Sequence, residues 1–172
     1  MNTISPKHFR ILAIAPSDRG FGFAVLEGQN TLVDWGIRRV QGENKNAKSL
    51  KKAEEMIAQY KPGVLVLENA SAKNSLRSPR IRRLCRQISK LAETHKVSVK
   101  LFSRDQVMKT FFADGRGTKY ALAEIVAERF SDELSRKLPP ERKLGNSEDS
   151  RMNIFDAVAL ALVLRKRHME RK

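Results

Sequence analysis

Residues 10–28 read RILAIAPSDRGFGFAVLEG. Ile11, Leu12, Ala13 and Ile14 form a nearly continuous apolar run, the pattern of a strand buried on both faces. Pro16, Ser17, Asp18, Arg19 and Gly20 are turn-formers and break it. Phe21, Phe23 and Val25 then alternate with Gly22, Ala24 and Leu26 as a returning strand. The stretch predicts a β-hairpin whose first arm is the centre of a sheet. Ala15 and Ser17 flank Pro16 with small side chains, which leaves room for a ligand or metal at the end of that arm.

Working outward, Thr31 to Val40 (TLVDWGIRRV) predicts a third strand that meanders back antiparallel. Its Trp35 is read as core or sheet cover rather than as a base-stacking platform. Ala47 to Tyr60 has helical spacing, and Lys61-Pro62-Gly63 stops it. Val64 to Leu67 is a second fully buried strand and ends on Glu68. A strand that follows a helix is reached by a crossover, so this one is expected parallel to the first and adjacent to it. Sites in such sheets form outside the carboxyl ends of the strands. Glu68 is therefore a candidate functional acid rather than an exposed loop glutamate.

From Ser71 to Arg104 the chain carries ten Lys or Arg and one acid, Glu93. Ser71 to Ser78 is expected to be a basic loop that orders on nucleic acid. A helix follows from Ser78-Pro79, with Ile81, Leu84, Cys85, Ile88, Leu91 and Ala92 on its apolar face. Lys73, Arg77, Arg80, Arg82, Arg83 and Arg86 are the candidate contacts to phosphates. With opposite charge absent, a merely solvated face is the weaker reading.

Val97 to Phe102 has the period of a strand. A short helix runs from Arg104 to Phe112, and Thr118 caps another that ends near Phe130. Pro139-Pro140 marks a loop. Ser147 is read as the cap of a terminal helix from about Glu148 to Arg167, with Glu148 and Asp149 in its first turn. That reading puts Asp149, Asn153 and Asp156 on one face. Ala157 to Leu164 is apolar almost all round, so the helix is buried, and an acid at its start is costly unless paired or metal-bound.

The 172 residues suit one domain: a lead-in over 1–9, the folded body over 10–167 and a basic tail over 168–172. Lys and Arg number 34 against 19 Asp and Glu, a net charge of +15, which calls for an anionic partner. No basic amphipathic stretch rich in Trp or Phe argues for a membrane surface, and no apolar run is long enough for a span or a signal peptide. Cys85 is the single cysteine, which excludes an intramolecular disulfide and fits a reducing cytoplasm.

In order, these parts resemble the RNase H-like fold: a five-stranded mixed α/β sheet, three strands in an antiparallel meander plus two parallel, flanked by helices. Within it the chain resembles the RuvC-like Holliday junction resolvases. Ile11 to Gly22 (ILAIAPSDRGFG) is similar to their first-strand motif, I-x-G-I-D-P-G followed by T-G. Val66-Leu67-Glu68 is similar to the second-strand acid. Val107 to Val126 looks like their lysine-bearing segment, with Lys109 and Lys119 on the two lysine positions. Asn153 to Leu160 looks like the last motif, an acid or His, two residues, then D-A-x-A-L. The first-strand Asp is Ala15 here, and the first position of the last motif is Asn153.

The resemblance implies a Mg2+-dependent endonuclease, Mn2+ also serving, that cuts Holliday junctions or other branched DNA as a homodimer. Carboxylates would hold two ions about 4 Å apart. Glu68 and Asp156 are the surviving ligands. Asp149 supplies a further acid, Asn153 a neutral amide oxygen, and Asp18 replaces the lost strand acid if its turn folds back. Lys109 and Lys119 would stabilise charge on the scissile phosphate. Two alternatives stay open: a catalytically inactive protein that binds structured nucleic acid, and an RNA-processing nuclease of the same fold.

Overall fold

The computed structural model describes residues 9–170. Five strands, β1 (Arg10–Ser17), β2 (Gly20–Glu27), β3 (Thr31–Arg39), β4 (Val64–Glu68) and β5 (Ser98–Phe102), form one sheet in the order β3-β2-β1-β4-β5. β1, β2 and β3 pair antiparallel in succession, and β1, β4 and β5 pair parallel. The helices are α1 (Lys45–Tyr60), α2 (Pro79–Thr94), α3 (Arg104–Phe111), α4 (Lys119–Arg129), α5 (Ser131–Leu134) and α6 (Met152–Glu170). This is the expected RNase H-like arrangement, with the opening hairpin at the sheet's centre.

The strand at that centre is apolar on both faces because both are covered. Leu12, Ile14, Phe21, Phe23, Val25, Leu65 and Leu67 pack with Ala53, Met56, Leu84 and Ile88 of α1 and α2. Ile11, Ala13, Ala15, Ala24 and Val66 pack with Phe155, Ala157, Val158 and Ala161 of α6. Small residues on the second face let α6 lie close to the strands. The tightest point is Gly22, paired with Ala15, where an added Cβ would stand 2.2 Å from the Asn153 carbonyl oxygen. Trp35 packs against this second core, as core cover.

The helix starts read at Ser78-Pro79 and at Thr118 stand, while Ser147 caps no helix and Ser103, not read as a cap, forms a capping box with Gln106. The Ser78 hydroxyl accepts from the Ile81 N–H and the Thr118 hydroxyl from the Ala121 N–H. Several boundaries shift by one or two residues, as where α1 starts at Lys45 rather than Ala47, and three differences bear on the site or the chain's end. β1 runs through Pro16 to Ser17, which confines the turn to Asp18 and Arg19. The terminal helix starts at Met152, not Glu148. Asp149 is the reason: its Oδ1 accepts the Arg151 N–H at 2.9 Å and its carbonyl accepts the Met152 N–H at 3.0 Å. A short acidic side chain thus competes for backbone donors and holds the chain in a turn. At the other end α6 continues to Glu170 into the expected tail. The lead-in, apart from Phe9, and the last two residues of the tail lie outside the described residues.

Candidate functional site

Alternation along β1 and β4 decides which side chains meet. Ala13 and Ala15 point toward α6, as does Val66, and Glu68 follows Val66 by two residues. The parallel register sets Ala13 beside Val66 and Ile14 beside Leu67, so Glu68 at the end of β4 comes level with Ala15, just before β1 ends at Ser17. α6 carries Asp156 across the same ends. The three elements enclose a cleft of about 710 Å3 whose lining includes Ala15, Glu68, Asp156, Lys73, Arg77, Arg104, Asp105 and Lys119.

Both deep acids are already paired. Arg77 Nε donates to Glu68 Oε2 at 2.6 Å, and Arg77 Nη2 donates to the Pro16 carbonyl at 2.6 Å. Lys119 Nζ lies 3.1 Å from Asp156 Oδ2 and 2.5 Å from Glu148 Oε1. Thr118 caps α4, which places Lys119 in the first helical turn, where the dipole disfavours a cation; the two carboxylates offset this. Burial pushes the Asp156 carboxyl above the usual carboxylate range, and Lys119 opposes the rise. Burial acts to lower Lys119, but Asp156 and Glu148 outweigh it and hold the ammonium above the usual lysine range.

The fold brings Glu68, Asp156 and Lys119 together, with Lys73 and Arg77 lining the same cleft. It does not bring the other candidates there. Asp149 stands in the loop before α6, chelated by Arg151 at 3.0 and 2.7 Å, and lines a neighbouring cavity. This corrects the expectation of a shared helical face with Asp156. Arg151 also holds the Asp149 carboxyl below its usual range. Asp18 does not fold back: it is an exposed turn residue 3.4 Å from Arg80. Asn153 sits over the Ala15–Gly22 rung rather than in the cleft lining. Lys109 is exposed on α3, against the Gly115 turn.

The basic segment divides as well. Arg80 donates to Asn46 Oδ1 at 2.9 Å and to the Ser17 carbonyl at 3.4 Å. Arg82 donates to the Ser75 carbonyl at 3.0 Å and so braces the loop. Arg83 and Arg86 are exposed on α2. Two partners escaped sequence reasoning. Local sequence gives Glu148 only a helix dipole to answer and gives Arg77 a phosphate, not Glu68. Only the three-dimensional closure of their loops reveals either pairing.

The donor set does not fit a two-ion centre. Among the described residues no three His, Cys, Asp or Glu gather to hold a metal ion. Four basic side chains, Lys73, Arg77, Arg104 and Lys119, line the cleft against three acids, Glu68, Asp105 and Asp156, a formal balance of +1. A centre for hard divalent cations gathers net negative charge from oxygen ligands.

No family model matches the sequence, and no curated protein matches it. Solved structures do. Thermus thermophilus RuvC in complex with a Holliday junction substrate is similar over 95% of this chain and 97% of that one, with a TM-score of 0.67 and 15% identity. The yeast mitochondrial Holliday junction resolvase is similar over 97% of this chain and 83% of that one, with a TM-score of 0.57 and 12% identity. The fowlpox virus Holliday junction resolvase is similar over 94% of this chain and 98% of that one, with a TM-score of 0.55 and 11% identity. The chain has the RuvC-like resolvase fold.

Proposed function

We propose that this protein acts on Holliday junctions or other branched DNA, and that it does so by seating a backbone phosphate in the cleft between β1, β4 and α6. The observation that supports this most is the cleft itself: the two acids and the lysine of the resemblance converge there among further basic side chains. The excess of positive charge supplies the long-range attraction, and the cleft supplies the seat. Lys73 and Arg77 enter from the loop between β4 and α2, while Arg83 and Arg86 extend the basic surface along α2. Two copies related by a two-fold axis suit a substrate of matching symmetry, so a homodimer belongs to this reading.

The test is binding of a labelled four-way junction and of a linear duplex of the same sequence, over a range of salt. The junction is expected to bind about tenfold more tightly or better, with affinity falling steeply as salt rises. Equal affinity for both would defeat the proposal. An RNA junction in the same assay addresses the RNA-processing alternative, which gains if RNA binds more tightly than DNA.

Cleavage is the second reading, and Glu68 and Asp156 sharing one cleft is what favours it. Mg2+ or Mn2+ is the cofactor it would require, and among the described residues no third acid gathers with Glu68 and Asp156 closely enough to hold an ion. Incubating the junction with Mg2+ and either the native chain or Ala15→Asp decides it. We expect no cutting by the native chain. Products from Ala15→Asp alone would show that the missing first-strand acid is what withholds hydrolysis.

A further inference from the structure

The loop between β4 and α2 turns Arg77 toward the strand ends, and the result is a cation built into the lining of the cleft. Its guanidinium spans the ends of two strands, from the Glu68 carboxylate on β4 to the Pro16 carbonyl on β1, both at 2.6 Å. Ala15, beside Pro16, has only a methyl group and cannot contest that place, and it too lines the cleft. Arg77 is two-thirds covered, with its side chain 34% exposed and Glu68 at 23%. The loop is braced in this position: the Ser75 hydroxyl accepts the Arg77 N–H at 3.3 Å, and Arg82 holds the Ser75 carbonyl. These bonds use Nε and Nη2, two of the five donors of a guanidinium. Nη1 is left to serve a ligand, and an arginine fork matches two phosphate oxygens.

We propose that Arg77 is a phosphate-receiving residue of this cleft, held ready by Glu68 and Pro16, and that the cleft binds a DNA phosphodiester without a divalent ion. This rests on the branched-DNA reading and deepens it by naming the group that takes the phosphate. Glu68 then acts as a positioning residue for Arg77 rather than as a metal ligand. Its charge orients the guanidinium but also repels the incoming phosphate. Lys119 stands to Asp156 and Glu148 in the same relation on the other side of the cleft.

The two roles for Glu68 predict opposite results. Junction affinity is measured for the full-length protein in EDTA and in Mg2+, across a salt series, for the native chain, Arg77→Ala, Arg77→Lys and Glu68→Gln. Native affinity is expected to differ by less than about twofold between EDTA and Mg2+. Arg77→Ala is expected to weaken binding about tenfold and to reduce the salt slope by about 1, one phosphate contact. Arg77→Lys keeps the charge and loses the fork, so it should keep the slope and weaken binding about threefold. Glu68→Gln keeps a hydrogen-bond acceptor and removes the negative charge, so it should tighten binding in EDTA by about threefold. A gain of affinity cannot come from misfolding, so this variant guards against a trivial loss in Arg77→Ala. Native-like affinity and slope in Arg77→Ala would overturn the proposal. So would a native affinity that rises more than about tenfold with Mg2+ and loses that rise in Glu68→Gln, which would give Glu68 to an ion. A native chain that prefers no junction over duplex defeats the branched-DNA reading itself, and this assignment with it.

Discussion

The two ends of the central strand carry similar charged groups and use them differently. At its start, Arg10 donates to the Tyr60 carbonyl at 3.2 Å and lies 3.7 Å from Glu27, while the Tyr60 hydroxyl donates to Asp34. Asp34 also accepts the Trp35 N–H at 2.9 Å. This network ties the end of α1 to β1 and β3. At the strand's other end, Arg77 and Lys119 meet Glu68 and Asp156 around a cleft with room for a ligand. The two arginine–carboxylate pairs are covered to nearly the same degree, and the first is a brace because its groups are taken up in contacts among α1, β1, β2 and β3. The second becomes a site where loops hold the surroundings open.

Substitutions can break or sharpen that contrast. The largest effect is expected from Gly22→Ala, since its new Cβ would collide with the backbone of α6 at Asn153. The helix must shift, at a cost of about 3 kcal/mol, read from denaturant unfolding, and junction binding should fall with it. Tyr60→Phe attacks the brace alone. It leaves half-buried Asp34 without the hydroxyl and should cost about 1.5 kcal/mol while junction affinity stays native. An equal loss of affinity would show that the two ends are coupled. Ser78→Ala removes the acceptor for the Ile81 N–H just beyond the basic loop. It should cost about 1 kcal/mol, with a smaller loss of affinity than Arg77→Ala, because it loosens the loop without removing the cation.

The smallest effect at ordinary pH is titration. Burial, then Asp34, pushes Tyr60 up to about 12 from its ordinary 10.0. Lys119 is likewise raised above its ordinary 10.5. In both cases the folded state holds its proton more tightly than the unfolded chain, so the stability is present below pH 10 and lost as pH rises through the folded values. Burial likewise pushes the Cys85 thiol up to about 11 from its ordinary 9.0, so melting temperature followed from pH 8 upward should hold to about pH 9 and then fall. In Tyr60→Phe the fall should be shallower, since Lys119 and Cys85, whose thiol burial pushes up to about 11, still contribute.

Most of the fold was legible because its signals are local. Four apolar residues in a row declared a doubly covered strand, and Ser78, Thr118 and the Lys61-Pro62-Gly63 stop declared helix ends. The terminal helix was misread at its start for a local reason too: Asp149 favours a turn as readily as a cap, and periodicity cannot choose between them. The candidate site was legible only in part. Glu68 and Asp156 were read as partners from order along the chain, and they do share the cleft. Asp18 and Asp149 were drawn into the same pocket by the absence of Ala15's expected acid, and each pairs with a nearby arginine instead.

Alternating side chains, helix caps and a large positive charge are properties of neighbours along the chain, and they were enough to establish the sheet, its covering helices and the anionic partner to expect. Which cation answers which acid was decided only in three dimensions. Arg77 reaches Pro16 across 61 residues, and Lys119 meets Glu148 and Asp156 only after α4 and α6 have packed. Ion pairing depends on separations of a few ångströms between segments remote in sequence, and strand register and helix packing set those separations.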